Sequence, residues 1–294
     1  MTCGGECIVK KEELLIGCTG WGDHDTLYES PGSASRKLQT YASHFPTVEL
    51  DATFYAIPNE QTVQKWIKET PDTFQFVVKA YQGMTGHQRG ENPYSTQKGM
   101  FDAFDIAMIP MRDAGKLAMI LFQFPPWFTV TKDRVNLLRG IRERYRAYDL
   151  ALEFRHESWF SNDMREKTLA YMREDQWIHS ICDEPQAGGK SIPFVPEPTS
   201  SEKSLIRFHG RNVAGWNYPA KGEEWRDVRY LYDYNELELK QLAESIQEIH
   251  ERVEHSCVIF NNNSGGHAAQ NAKQLQDLLG ITYGGLFPRQ INLF

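Results

Sequence analysis

The chain repeats one alternation along its whole length: a short apolar run, then a stretch with apolar side chains at helical spacing. Residues 15–18, 48–52, 74–79, 117–122, 150–154, 177–183, 205–209 and 258–261 have the length and composition of strands. Residues 35–45, 60–69, 133–148, 164–173, 236–252 and 268–279 carry apolar residues three and four apart, which places them on one helix face. Asn59 stands where a helix starting at residue 60 needs an N-cap. Gly280 stands where a helix ending at 279 needs a left-handed residue. Residues 96–114 also read as a helix, but Pro110 should interrupt it. About eight strand–helix units without an interior linker predict an α/β chain, a closed (β/α)8 TIM-type barrel. It would be a single domain over residues 1–294, with tails at 1–12 and 281–294. An open doubly wound sheet is disfavoured, because no G-x-G-x-x-G fingerprint opens the first helix.

The strands have polar second faces. In 150–155, Leu150, Leu152 and Phe154 share one face, and Ala151, Glu153 and Arg155 share the other. Leu50 and Ala52 oppose Glu49, Asp51 and Thr53, while Ile206 and Phe208 oppose Leu205, Arg207, His209 and Arg211. Strands whose second face turns polar toward the C-terminal end imply a polar barrel mouth, where barrel enzymes place their chemistry. The long connections 80–99, 184–203 and 210–228 all follow strands and would crown that same C-terminal face. Residues 184–203 are rich in Pro, Gly and Ser, as in a lid or an ordered arm.

Composition narrows the class. No apolar run is long enough to span a membrane, and residues 1–11 lack a signal-peptide core, so a cytoplasmic location is the default. The net charge of −7 argues against a broad surface coating nucleic acid, though not against a basic pocket. Cys18, Cys182 and Cys257 fall in expected strands as small buried hydrophobes, and Cys3 and Cys7 have no partner pair at zinc-ribbon spacing.

Seven strings carry a family resemblance: IGCTGW (16–21), VELDATFY (48–55), LFQFPPWF (121–128), ALEFRHESWF (151–160), CDEPQA (182–187), RFHGRN (207–212) and FNNNSGGHAAQNAKQL (260–275). Together, and in this order, they resemble the YecE-like family, a domain-of-unknown-function family of bacteria and archaea. The resemblance implies a TIM-type barrel and no known reaction.

Four groups of residues are candidates for function. Glu49, Asp51, Lys79, Glu153, Arg155, Asp183, His209 and Asn261 lie near strand C-termini. Converging acids, bases and a histidine suit general acid–base chemistry; the bland alternative is a self-satisfied ion network. Asp51, Glu153 and His209 are the expected proton-transfer groups, with Arg155 orienting Glu153 or neutralising developing charge. A metal is less expected, since no H-x-x-x-H or H-E-x-x-H spacing occurs, and no cofactor is specified. The turn Asn261, Asn262, Asn263, Ser264, Gly265, Gly266, with Arg211 and Asn212 beside it, is an expected phosphate site at a helix N-terminus. Trp21, Tyr55, Trp127, Trp159 and Trp216 follow strands and could stack on a sugar or base, or pack as rim. Finally, Gln290, Leu293 and Phe294 resemble the short peptide with which bacterial DNA-processing proteins dock on the sliding clamp; the alternative is a latch on the barrel. The leading expectation is an enzyme for an anionic or phosphorylated small molecule bound at the barrel mouth. Its competitors are a clamp-recruited nucleic-acid-processing enzyme and a non-catalytic binding or scaffold barrel.

Overall fold

In the computed structural model, which describes residues 13–28, 36–188, 191–217 and 228–288, eight parallel strands close a barrel in sequence order. They are β1 (Leu14–Thr19), β2 (Thr47–Leu50), β3 (Gln75–Lys79), β4 (Leu117–Gln123), β5 (Leu150–Glu153), β6 (Ile178–Asp183), β7 (Lys203–Phe208) and β8 (His255–Phe260). The crossover helices are α1 (Lys37–Tyr41), α2 (Glu60–Lys68), α3 (Gln97–Asp113), α4 (Lys132–Arg144), α5 (Arg165–Glu174), α6 (Glu236–His250) and α7 (His267–Leu279). No helix among the described residues is long and apolar enough to cross a membrane.

The caps explain where several helices begin. Asn59 accepts the Thr62 N–H at 2.8 Å, and Asn235 forms a full capping box with Glu238 ahead of α6. Gly280 ends α7 in the left-handed region at φ 60°. Two expectations differ from what is found. Pro110 lies inside α3 without ending it. Its missing N–H strips one bond from the turn containing Ile106, which is largely exposed, so water can serve the freed carbonyl. Second, β6 is not followed by a helix among the described residues. The described part of the connection ahead of β7, 191–202, is pinned where Thr199 accepts the His179 N–H (2.8 Å) and donates to the Trp177 carbonyl (2.6 Å).

Alternation divides the strands between two cores. Leu50, Leu150, Leu152, Ile206 and Phe208 face outward under the helices. Leu15, Val77, Met119, Leu121, Ala151, Leu205, Cys257 and Ile259 fill the barrel interior. Cys18, Cys182 and Cys257 are free and buried.

One seam is unusual. β1 joins β8 through five registered pairs but β2 through only two. Tyrosine hydroxyls fill what the ladder leaves open. Tyr41 accepts the Cys18 N–H at 2.7 Å and donates to the Thr47 carbonyl at 2.9 Å. Tyr283 accepts the Ile16 N–H and donates to the Leu14 carbonyl, each at 2.9 Å. A Cβ on Gly17 would stand 2.1 Å from the Thr47 oxygen, so only glycine lets the two strands approach there. Residues 281–288, the described part of the expected C-terminal tail, thus lie against the barrel, with the Phe287 N–H also bonded to the Ala42 carbonyl.

Candidate active site

Moving up the barrel interior, apolar layers give way to charge. Inward positions near the strand C-termini carry Glu49, Lys79, Gln123, Glu153, Ser180, Cys182 and Arg207, and the residues just beyond add Arg155, Glu184, His209 and Asn261. The strand phase read from alternation places Glu49, Glu153, Arg155 and His209 together. Arg207 grips Glu49 with two bonds, Nε to Oε2 at 2.7 Å and Nη2 to Oε1 at 2.6 Å, and donates Nη1 to Glu153. Arg155 donates Nε to Glu153 and Nη1 to Glu184, both at 2.6 Å. Ser180 donates its hydroxyl to the second Glu153 oxygen at 3.0 Å.

His209 completes this network. Its Nε2 lies 3.0 Å from Arg155 Nη2 and 3.4 Å from Arg207 Nη1. Guanidinium nitrogens only donate, so Nε2 carries the lone pair and Nδ1 the proton. The Asn261 side-chain amide lies 2.8 Å from Nδ1 and must turn its oxygen toward that proton. Burial, reinforced by the Arg155 and Arg207 charges, holds the imidazole well below its ordinary pKa, so the ring is neutral. Burial opposes ionisation of Glu153, but Arg155 and Arg207 outweigh it and keep the carboxyl well below the usual range. Glu184 differs: burial outweighs Arg155 and pushes its pKa up to about 7.

Above the network stand groups with fewer ties. Lys79 Nζ has no hydrogen-bond partner among the described residues and lies 4.7 Å over the Phe54 ring. Burial and then the Arg207 charge lower its pKa. Tyr230, whose ring lies 6.1 Å from His209, also has an unpartnered hydroxyl among the described residues. Burial resists its ionisation, yet Arg229, Arg155, Lys79 and Arg207 together pull its pKa below that of an ordinary phenol. Asp51 follows β2 beside Gly20, where a Cβ would meet its Oδ1 at 3.7 Å, and its carboxylate also lacks a hydrogen-bond partner among the described residues. The indole of Trp216 backs this group, with Arg155 5.5 Å and Arg229 3.9 Å above its ring.

Other expected site residues lie elsewhere. Asp183 faces the other side of β6, where Arg211 binds it through Nε (3.0 Å) and Nη2 (2.9 Å) and Tyr234 donates to it at 2.7 Å. Arg211 is further held by Glu238 at 3.2 Å. Asn212 ties its amide to the Val228 and Leu231 carbonyls. Asn263 donates to the Thr19 carbonyl at 2.8 Å. Gly265 and Gly266 both have positive φ, and the Leu231 and His267 side chains stand over Gly265, about where its Cβ would be. Trp159 and Trp216 are buried, Trp21 packs edge-on to Trp66 at 6.0 Å, and Tyr55 and Trp127 are exposed. Gln290, Leu293, Phe294, Cys3 and Cys7 lie outside the described residues.

Glu184, Arg207 and Tyr230 were not among the expected site residues. Alternation held the signal for two of them: Ser180, Cys182, Glu184 share a face, as do Leu205, Arg207, His209. No local pattern marks Tyr230, which a long connection brings back over the mouth. Ligand atoms of Glu153, Cys182 and His209 lie within 4.8 Å of one another, as a metal site would need. Two guanidiniums already occupy Glu153 and His209, and burial keeps the Cys182 thiol protonated, so this donor set suits no cation. Some hollows lie off the network. One of about 490 Å³ runs between α3 and α4 past Phe101, Trp127 and Leu137.

A family described as "Protein of unknown function DUF72" matches residues 15–292. The chain belongs to the DUF72 family. Among its relatives is the UPF0759 protein YunF of Bacillus subtilis, 53% identical over 96% of this chain and 100% of its own. The UPF0759 protein YecE of Escherichia coli K12 is 26% identical over 45% of this chain and 46% of its own. A DUF72 family protein from Enterococcus faecalis V583 superposes with a TM-score of 0.88 at 38% identity, covering 95% of this chain and 100% of that one. Another from Thermotoga maritima gives 0.77 at 31% identity over 91% and 99%. DUF72 membership agrees with the YecE-like strings and the barrel; none of these names states a reaction.

Proposed function

We propose that this DUF72 protein is an enzyme that holds a small anionic substrate in the barrel mouth and moves a proton on it. One observation carries the reading. Lys79 presents an ammonium without a hydrogen-bond partner among the described residues, in the same mouth as a phenol, Tyr230, whose pKa is lowered by its cationic neighbours. A partly desolvated cation without a partner invites an anion, and a phenol tuned toward neutrality suits general acid–base work. Lys79 would bind the negative group, and Tyr230 would take and return the proton. Asp51 would accept a substrate hydroxyl or act as the second base. Arg155 and Arg207 keep the floor fixed. Glu153 is then a poor base, since two guanidiniums hold it ionised, and His209 a pinned acceptor, since both ring nitrogens are engaged.

Calorimetric titration with inorganic phosphate tests this. The wild type should bind in the millimolar range, and Lys79→Met should weaken binding about tenfold. No binding, or binding indifferent to Lys79→Met, sinks the proposal. Weakening by Arg211→Ala instead would move the anion to the turn at Gly265 and Gly266. The clamp-docking reading rests on the sequence of Gln290, Leu293 and Phe294. A synthetic tail peptide that fails to bind a bacterial sliding clamp would remove it.

A further inference from the structure

Beside the charged mouth runs a row of aromatic rings built from three successive strand–helix connections. Tyr55 and Phe54 follow β2, His87 follows β3, and Trp127 follows β4. Each ring meets the next edge to face: Trp127 to His87 at 5.9 Å, His87 to Phe54 at 5.1 Å, Phe54 to Tyr55 at 5.3 Å. The row is not core. Trp127 is 48% exposed and Tyr55 58%, while the loop tryptophans Trp159 and Trp216 are fully covered. It is also held in place: the Thr85 hydroxyl lies 2.9 Å from His87 Nδ1, fixing the ring between its neighbours. Cations accompany both ends. Lys79 lies over Phe54, and the Arg89 guanidinium lies 5.6 Å over the Trp127 ring.

We propose that this row is a shelf for the flat ring of the substrate, which would be a nucleotide-like compound with its heterocycle against Trp127 and His87 and its phosphate on Lys79. The inference rests on the reading of the mouth as an anion site and names the substrate class for it. Exposed aromatics at an enzyme mouth lose nothing by stacking on any base, because every base offers a π-face, and adjacent cations add to the attraction. A bare sugar is the poorer fit. Its hydroxyls need flanking acceptors as well as donors, and the neutral polar groups nearest the shelf are already engaged. Thr85 serves His87, and Gln88 serves the Tyr81 hydroxyl and the Glu91 carbonyl. Neutral His87 suits a ring that stacks rather than pairs; burial, with Lys79 next, lowers its pKa to about 4.

Calorimetry with AMP, ribose 5-phosphate and inorganic phosphate tests the shelf on the full chain. AMP should bind about tenfold or more tightly than ribose 5-phosphate, since only AMP brings a base. Trp127→Ala should erase that difference and leave phosphate binding unchanged, and Trp127→Phe should restore most of it. A 5′-phosphorylated single-stranded oligonucleotide that displaces AMP and depends equally on Trp127 would support the same chemistry, with a strand end as its source. Phosphate binding with no preference for AMP, or a preference that survives Trp127→Ala, overturns the shelf while the mouth reading stands. Binding of none of the three defeats the mouth reading, and the shelf with it.

Discussion

Two charged regions lie one above the other in this barrel, and their side chains are used differently. In the lower one, Glu49, Glu153, Arg155, Arg207 and His209 are fully covered, and the guanidiniums are parcelled out among carboxylates and imidazole. In the upper one, Lys79 and Tyr230 carry polar ends without hydrogen-bond partners among the described residues. The lower layer resembles the self-satisfied network that sequence alone allows as the bland alternative. It sets the field and geometry in which the upper groups act. Acids and bases at a barrel mouth are therefore not one population: those that complete each other hold the floor, and those left incomplete face the substrate.

The largest test of this division is Arg207→Met. It strands Glu49 in a closed interior and leaves Glu153 with Arg155 and Ser180 alone, and should cost about 3–5 kcal/mol in urea unfolding. A loss below about 1 kcal/mol would mean that the lower layer is not a lock. Next comes Glu184, at the boundary. Its carboxyl keeps a proton up to about pH 7 when folded but only to about 4.5 when unfolded, so it contributes stability that disappears as pH rises through that window. Relative to Glu184→Gln, the wild type should lose about 3 kcal/mol between the two ends of the window. Equal pH profiles for the two proteins would show that Glu184 titrates normally. Lys79→Met should then weaken phosphate binding about tenfold and shift unfolding by less than about 1 kcal/mol, because the ammonium has no protein bond to lose. Tyr230→Phe should leave folding unmoved and delete the lowest-pH phenolate step from an ultraviolet titration. The outer pair carries only a modest effect. Arg211→Ala should cost about 1 kcal/mol, since its guanidinium is partly in water, and should leave phosphate affinity alone.

The barrel was legible because its periodicities are strong: period-two runs, helical stripes and caps at Asn59 and Gly280 all point to one architecture. The same alternation puts Glu153, Arg155 and His209 on the inner face before any coordinate is seen. It failed at β6. There the stronger-looking candidate, Asp183, shares a face with Ile181 and turns to Arg211 and Tyr234, while its neighbour Glu184 turns inward. Pro110 misled because a missing N–H costs little on a wet surface. Tyr230 could not be found at all, since its position depends on the path of a long connection rather than on any local pattern. Nor could the pairing that occupies Arg211, because a free arginine and a bound one are spelled alike.

The seam between β1 and β2 has a consequence for how the protein is made. The first barrel strand finds most of its ladder partners in the eighth, β8, and a further pair of backbone groups waits for the Tyr283 hydroxyl. Residues 14–19 therefore keep an open edge until β8 has been made, and the circle closes only then. A nascent chain stalled before β8 should be a curled open sheet, sticky at both rims and a client for chaperones, and the completed barrel should form in one late step.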